Sequence, residues 1–547
     1  MRRKSPSRRE FLQRSSAVVA SGCVLGAWNR ELFAQIDPSA GARQAVACSR
    51  REAGDAAREV LLQGGNAIDA AVAGLLVQCV IEPSNVGLGG YGGSLVYHQA
   101  KSGRVQAIDF DARAPRNLDP ASLTLANQSH GYLAVGVPGV VAGIDLAMRE
   151  FGTLPFKTLA KASLALAENG ISVTPGLART FHEHFQEVDS DSQHALFPNG
   201  VAAEGGRWVQ SDLAQLIRRL GDDGPASFYS GDIAATICKQ VQANGGVLAE
   251  EDFHDFQAAL VEPLHIAYRG YDLYTPPLPS GGLTSLSILK TLEQFDIGKL
   301  PPWNARYIEL FAGASNLAWG ERNEYFGDPD FVTVPVEELL SEQSAIERAD
   351  VMRQATPTTP ARPSGPSHTV NLVVIDKDRN LVSWTATHGN FFGSKVAIDG
   401  LGLLLGHGMS RFDLKSDSPN YPAAGKRPQH NMSPLLVMRD GQPCAGLGLP
   451  GGTKIVTVTA QLAMNLMDFK APPQQIVSAP RIHTEGEEPI QVTADTPAEV
   501  VEELRERGHR VEVKQALGAG ANAVVIEAKS GDVQAAASKG SSGVLVF

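Results

Sequence analysis

The chain has 547 residues, 43% hydrophobic and 20% charged, a composition that excludes a disordered protein and supports a large core. Its 48 basic and 59 acidic side chains give a net charge of −11, without the Lys/Arg stripe that would follow a nucleic-acid backbone, so nucleic acid is not an expected partner. No run of about 18 apolar residues is present to span a bilayer.

Ser7-Arg8-Arg9-Glu10-Phe11-Leu12 precedes a modest stretch of small apolar residues over 15–28. This is the pattern of a twin-arginine export signal and implies a periplasmic or secreted protein. Cleavage is expected near Ala34, and residues 1–35 are set aside from the fold. Ala20-Ser21-Gly22-Cys23 makes only a weak lipid-attachment box, because Ala20 stands where a larger aliphatic residue is usual. The five cysteines (Cys23, Cys48, Cys79, Cys238, Cys444) are scattered and lack C-x-x-C or Cys/His pairing, so no metal site is expected. An exported chain leaves room for one disulfide. Cys79 lies in an apolar helical run and reads as core.

Residues 53–63 have helical periodicity and end at Gly64-Gly65, where glycine tolerates the left-handed conformation that closes a helix. Asn66 can cap the next helix, 67–81, which is apolar nearly all round and therefore buried. The glycine run 87–93 lacks the Lys-Ser/Thr of a phosphate loop and follows a helix, so it reads as a tight backbone crossing. Strands are expected at 94–98 and 105–110. Helices dominate 139–290. Residues 357–366, rich in Thr, Pro and Ser, form the one stretch that reads as an exposed, cleavable connection.

Beyond it the period changes. Strands 369–376 and 381–387 are joined by Lys377-Asp378-Arg379-Asn380, and 435–439 and 445–449 form a hairpin about Asp440-Gly441. Pro450-Gly451-Gly452 opens a helix at 456–467. A helix at 497–507 and strands at 523–527 and 533–537 complete the chain. This order suggests sheets packed on one another and covered by helices.

A hydroxyl is a poor nucleophile until a base takes its proton, and a chain-terminal amine with a pKa near ~8 can be that base. Thr369 begins a strand directly after the Pro/Ser-rich connection. Cleavage between His368 and Thr369 would give it such an amine.

The chain resembles the γ-glutamyltransferases (glutathione hydrolases), a family of N-terminal-nucleophile hydrolases, over essentially its whole mature length. Gly64-Gly65-Asn66-Ala67-Ile68-Asp69-Ala70-Ala71 is the family's G-G-N-A-I-D-A-A. Glu82-Pro83 through Gly93 resembles its E-P-x-x-x-G-x-G-G-x-G, and Val137-Pro138-Gly139 and Gly152-x-Leu154-Pro155-Phe156 follow in the family's order. The resemblance implies an α+β fold, a four-layer αββα sandwich with two antiparallel sheets covered by helices. Ile375-Asp376-Lys377-Asp378-Arg379-Asn380 sets the register that makes Thr369 the nucleophile. Thr385 and Thr387 match the T-x-T that supports it, and Gly451 and Gly452 match the P-G-G whose N–H groups form the oxyanion hole.

The family's clamp for a free α-amino and α-carboxylate is altered. Asp111 stands where an arginine is expected, with Arg113 two residues on; Gly389 replaces an asparagine, with Asn390 next. Arg411 occupies the place of the carboxylate that would meet the substrate amine, and His430-Asn431 replaces paired serines. An ammonium beside Arg411 would be repelled by up to about 4 kcal/mol near a protein surface. Asp111 and Arg411 invert the usual charges, which lets them pair with each other or read a substrate with different ends. The thirteen residues 413–425 between Phe412 and Lys426 are short for the family and imply a more open cleft.

The expectation is thus a self-processing amide hydrolase, cut into a large subunit (36–368) and a small one (369–547) that stay associated, acting on a small-molecule amide through an acyl-enzyme without metal or organic cofactor. The family implies a γ-glutamyl substrate. The alternatives are an amidase or acylase for another acyl group and a non-catalytic periplasmic binding protein.

Overall fold

Two antiparallel sheets lie face to face in the structure, a computed structural model that describes residues 41–354 and 368–547. The expected export segment, Cys23 and the 357–366 connection lie outside the described residues. The first sheet runs in the order Gly543–Val546, Ala45–Cys48, His368–Ile375, Leu381–Gly389, Gly92–Gln99, Arg104–Asp109, Ala259–Val261. The second runs Val533–Ala537, Asn522–Ile526, Gln442–Gly448, Leu435–Arg439, Tyr271–Thr275, Leu264–Tyr268. Arg51–Leu62, Ala67–Ile81 and Val140–Phe151 cover the outer face of the first sheet, and Gly282–Glu293, Lys454–Met467 and Pro473–Ser478 that of the second. This is the αββα arrangement expected.

Strand periodicity decides which side chains meet between the sheets. Val370, Leu372 and Val374 enter the core under the helices, whereas Val373 and Ile375 enter the core between the sheets. Thr369 and Asn371 share the parity of the second group and so face the other sheet. On the neighbouring strand Val382, Trp384 and Ala386 point to the helices and Leu381 points between the sheets, which turns Ser383 and Thr385 inward as well.

Glycine sets how closely the sheets approach here. A Cβ at Gly446 would lie 2.6 Å from Val373 Cγ1, and one at Gly448 would lie 2.3 Å from Asn371 Nδ2. The 87–93 run is the crossing expected: a Cβ at Gly93 would lie 2.1 Å from Thr385 O.

The sequence landmarks meet in space. The Asn66 side chain accepts the Ile68 and Asp69 N–H groups and donates to Phe151 O at 2.6 Å. Asp69 accepts the Thr153 and Leu154 N–H groups at 2.9 and 3.2 Å, which joins the two motifs. Asp376 accepts the Asp378 and Asn380 N–H groups in its own turn and the Ala67 N–H at 2.9 Å. One carboxylate therefore shapes the hairpin and caps a helix.

Several boundaries differ from the expectation. The strand expected at 105–110 is Arg104–Asp109, and the helix expected from 456 starts at Lys454. Three strands, Ala259–Val261, Leu264–Tyr268 and Tyr271–Thr275, interrupt the stretch expected to be mainly helical. They are short and half-buried, too brief for alternation to stand out. Ala45–Cys48 is buried at all four positions and so shows neither period. The described cysteines are free thiols, with Cys79 buried as expected.

Replacing Asn66 by alanine removes the cap while leaving the buried helix in place. Asn66→Ala is expected to lower unfolding free energy by roughly 1 kcal/mol in urea titrations followed by circular dichroism, with the native spectrum unchanged.

Candidate active site

Thr369 is buried at the second position of its strand. Its hydroxyl donates to Thr387 Oγ1 at 3.2 Å, and Thr387 Oγ1 donates in turn to the His368 carbonyl oxygen. Thr387 Oγ1 also accepts the Gly389 N–H at 2.7 Å. The pairing of the two strands slips between Ala386 and Gly389. That bulge re-aims Thr387 so that one hydroxyl touches both Thr369 Oγ1 and the carbonyl of the peptide bond before it.

Thr385 stands one step back: its Oγ1 accepts from Asn371 Nδ2 at 3.1 Å. Asn371 Nδ2 also donates to Trp384 O at 3.0 Å, and Asn371 O accepts from Asn522 Nδ2 of the second sheet at 2.9 Å. Asn371 and Asn522 were not among the expected site residues. The signal for Asn371 was its spacing of two from Thr369 on the same face; nothing local marks Asn522.

Gly446 packs on Val373 and Gly448 on Asn371, and the glycine pair follows just beyond the end of this strand, Gln442–Gly448. Gly451 and Gly452 have φ of 151° and 61°, positive angles that a side chain would strain. Among the described residues neither N–H is taken by a hydrogen bond. Both precede the N-terminus of Lys454–Met467, where the helix dipole favours negative charge.

His368 stacks on Phe391 with ring centres 3.4 Å apart, and Phe391 stacks in turn on His184. Burial, helped by the His184 and Arg411 charges, holds the His368 imidazole down at about 4. The side chain before Thr369 is thus uncharged at neutral pH.

The expected substrate residues divide. Asp111 and His430, both fully buried, meet each other through Oδ2 and Nε2. Burial pushes Asp111 up to about 8 and His430 down to about 3. His430 Nδ1 accepts the Met432 N–H at 3.2 Å, so the proton of the neutral ring sits on Nε2, the nitrogen in contact with Asp111. The pairing of Asp111 with Arg411 is thereby corrected: His430 holds the position nearest the carboxylate, and Arg411 lies over the Tyr91 ring at 6.0 Å. Arg113 does not replace the missing arginine but turns to Gly425 O at 3.3 Å. Asn390 is held by its backbone, with its N–H donating to His407 Nε2. Asn431 Oδ1 accepts from Arg322 Nη2 at 2.8 Å.

Residues 53–546 match the family model described as gamma-glutamyltranspeptidase. The chain is 33% identical over 490 residues to a glutathione hydrolase proenzyme of Escherichia coli (84% of each chain). It is 34% identical over 507 residues to an acylase ACY 1 proenzyme of a Pseudomonas species (89% of this chain, 90% of the other). A crystal structure of a cephalosporin acylase from Bacillus halodurans superposes with a TM-score of 0.85 at 26% identity, covering 92% of this chain and 96% of that one. The chain belongs to the gamma-glutamyltranspeptidase family.

One further cluster in this gamma-glutamyltranspeptidase-family enzyme supports the glycine pair from behind. Glu485 accepts from Thr453, the residue after Gly452, at 2.6 Å, and meets His483 Nε2 at 2.8 Å, with the Lys454 ammonium 3.8 Å away. Burial alone would raise Glu485, but His483, Thr453 and Lys454 together hold it at about 2. It was missed because its partners are remote in sequence or lie in the glycine motif itself.

A carboxylate held below its ordinary value stabilises the fold above that value and loses the contribution as pH falls through the folded one. Glu485→Gln is expected to lower Tm at neutral pH and to flatten the fall in Tm between pH 4.5 and about 2. Parallel acid melts of wild type and variant would sink this account of Glu485 if they ran a constant interval apart over that range.

Proposed function

We propose that the protein is a self-processing amide hydrolase with Thr369 as nucleophile, and that its acyl group is not γ-glutamyl. The observation that carries the reaction is the hydroxyl chain from Thr369 through Thr387 to the His368 carbonyl. In the precursor Thr369 Oγ attacks the His368 carbonyl carbon, and the Thr387 hydroxyl stabilises the charge that develops on the carbonyl oxygen. The C–N bond breaks, the Thr369 nitrogen gains a proton, and His368 is left as an ester on Thr369 Oγ. Water cleaves the ester and leaves a His368 carboxylate and a Thr369 with free amine and hydroxyl.

In the mature enzyme the α-amine removes the hydroxyl proton as Oγ adds to the substrate amide carbonyl. The Gly451 and Gly452 N–H groups hold the oxyanion, and the leaving amine takes the proton. Water then enters by the same route and releases the acid. The fragments 36–368 and 369–547 stay together, because the first sheet interleaves strands from both sides of the cut. Export by the twin-arginine route to the periplasm, with removal of residues 1–35, completes the reading.

The change of substrate rests on Asp111. The Asp111 carboxyl, kept largely protonated at neutral pH by burial and in contact with His430, stands where an arginine would hold an α-carboxylate, and Arg411 opposes an α-ammonium. Relatives with the names glutathione hydrolase and acylase fall at similar identity, so the site decides between them.

Wild-type protein is expected to give two bands on a denaturing gel, one beginning at Thr369 by N-terminal sequencing, while Thr369→Ala stays whole. Thr387→Val is expected to slow cleavage about tenfold or more, since it removes one hydrogen bond from each partner. A wild type that stays whole would remove the basis of the enzyme reading. In assays γ-glutamyl-p-nitroanilide is expected to turn over more slowly than simple N-acyl anilides; robust γ-glutamyl turnover would refute the substrate assignment.

A further inference from the structure

A run of three rings leads away from the peptide bond before Thr369. His368 lies on Phe391 with ring centres 3.4 Å apart and planes 22° apart, and Phe391 lies on His184 at 4.3 Å and 28°. The strand pairing that sets Val370 against Ala386 slips before it reaches His368. The ladder alone therefore does not fix the plane of that peptide, and the stack acts on the same residue through its side chain.

Phe391 is delivered by a short loop that is pinned on every side. Helix Pro175–His184 carries Phe181 and His184 three residues apart on one face, and they meet consecutive residues of the loop: His184 lies on Phe391, and Phe181 stacks on Phe392 with ring centres 6.0 Å apart. Phe392 is buried at a left-handed φ of 57°, uncommon for a bulky residue, and Lys395 follows at 64°. Such angles persist only where the surroundings over-determine them. Here the Phe392 N–H donates to Ser84 O at 3.1 Å, the Ser394 N–H to Leu405 O at 2.9 Å and the Gly131 N–H to Ser394 O at 2.8 Å. Lys395, 5% exposed, reaches His130 Nε2 at 2.6 Å and pairs with Glu187, which also meets His184 Nδ1 at 3.2 Å. The lysine thus ties the loop to the chain that follows the helix.

Self-cleavage needs the His368 carbonyl in one orientation. The Thr369 hydroxyl must reach its carbon while Thr387 holds its oxygen; the C–O bond then forms, the C–N bond breaks and the hydroxyl proton passes to the Thr369 nitrogen. Rotation about the His368 Cα–C bond would swing the oxygen away from Thr387. With the ring laid on Phe391 and Val370 held in the ladder, both ends of that rotation are fixed. The imidazole stays uncharged at neutral pH because burial holds it at about 4, so it acts here through its shape.

We propose that Phe391 is a positioning residue for self-cleavage and that His368 is what it recognises: a flat ring before Thr369, laid on Phe391 and braced by helix Pro175–His184, keeps the scissile carbonyl against Thr387. The proposal rests on the self-cleavage reading above and goes beyond it, since it makes the cut depend on the residue before the bond as well as on the nucleophile after it.

Rates of cutting are read on denaturing gels from full-length chain made by cell-free synthesis. His368→Phe keeps a flat ring and is expected to cut within roughly threefold of wild type, whereas His368→Leu and Phe391→Leu are expected to be slower by about tenfold or more. Phe391→Tyr is expected to restore the rate. The double variant, His368→Leu with Phe391→Leu, is expected to be no slower than the slower single one, because both remove the same contact; independent losses would multiply. The His368 pair carries the test if Phe391→Leu fails to fold, since His368 is the first residue of its strand. The geometry is checked without cutting in the Thr369→Ala chain labelled at histidine Cε1. There the His368 proton, assigned by its loss in His368→Phe, is expected upfield under the Phe391 ring current and nearer its ordinary position in Phe391→Leu. Leucine variants that cut as fast as wild type, His368→Phe as slow as His368→Leu, or an unshifted His368 proton would overturn the stack and leave Thr369 as nucleophile untouched. A wild type that stays whole would sink the self-cleavage reading and this proposal with it.

Discussion

The close approach of the two sheets at Asn371 and Gly448 governs the rest of the molecule. No side chain fits at Gly448, so the second sheet comes near enough for Asn522 to donate to the Asn371 carbonyl and for Ser383 to donate to Leu447 O at 2.9 Å. These bonds are buried, and with only Asn522 Oδ1 of the two asparagine side chains left without a partner among the described residues, the network fixes one geometry. Thr369 sits two residues beyond this junction and Pro450-Gly451 two or three beyond it on the other side. The position of Thr369 relative to the second sheet is thus set by the packing of strands.

Electrostatics divides the surroundings of Thr369 into a quiet part and a charged part. His368, His407 and His430 are all pushed towards the neutral form by burial. On one side of this neutral floor Asp111 and His430 occupy each other. On the other, Arg322 and Arg411 line one cavity together with Asp413.

Much of this was legible in the sequence. Period-two patterning gave the strands around Thr369 and Leu381, the Asp376 turn set their register, and the glycine runs marked where backbones cross. The four-layer arrangement followed from resemblance and from the order of elements together. Strands such as Ala45–Cys48 and Leu264–Tyr268 escaped because a four- or five-residue segment carries too little alternation and takes its identity from its neighbours. The bulge at Thr387, the engagement of Asp111 by His430 and the support of Thr453 by Glu485 escaped for a related reason. Each depends on residues brought together by the tertiary fold, and the charge of Asp111 alone made Arg411 look as suitable a partner as His430.

The position of Ala45–Cys48 has a consequence for the order of assembly. This strand lies between Gly543–Val546 and His368–Ile375, so the first described strand of the chain is wedged between its last strand and the one bearing Thr369. Such pairings are among the longest-range a chain of this length can make, and loop closure makes them slow. The sheet around Thr369 cannot close until the final residues have been synthesised. A chain truncated near its C-terminus would therefore lack the edge that holds the first described strand, and with it the rigid frame around Thr369.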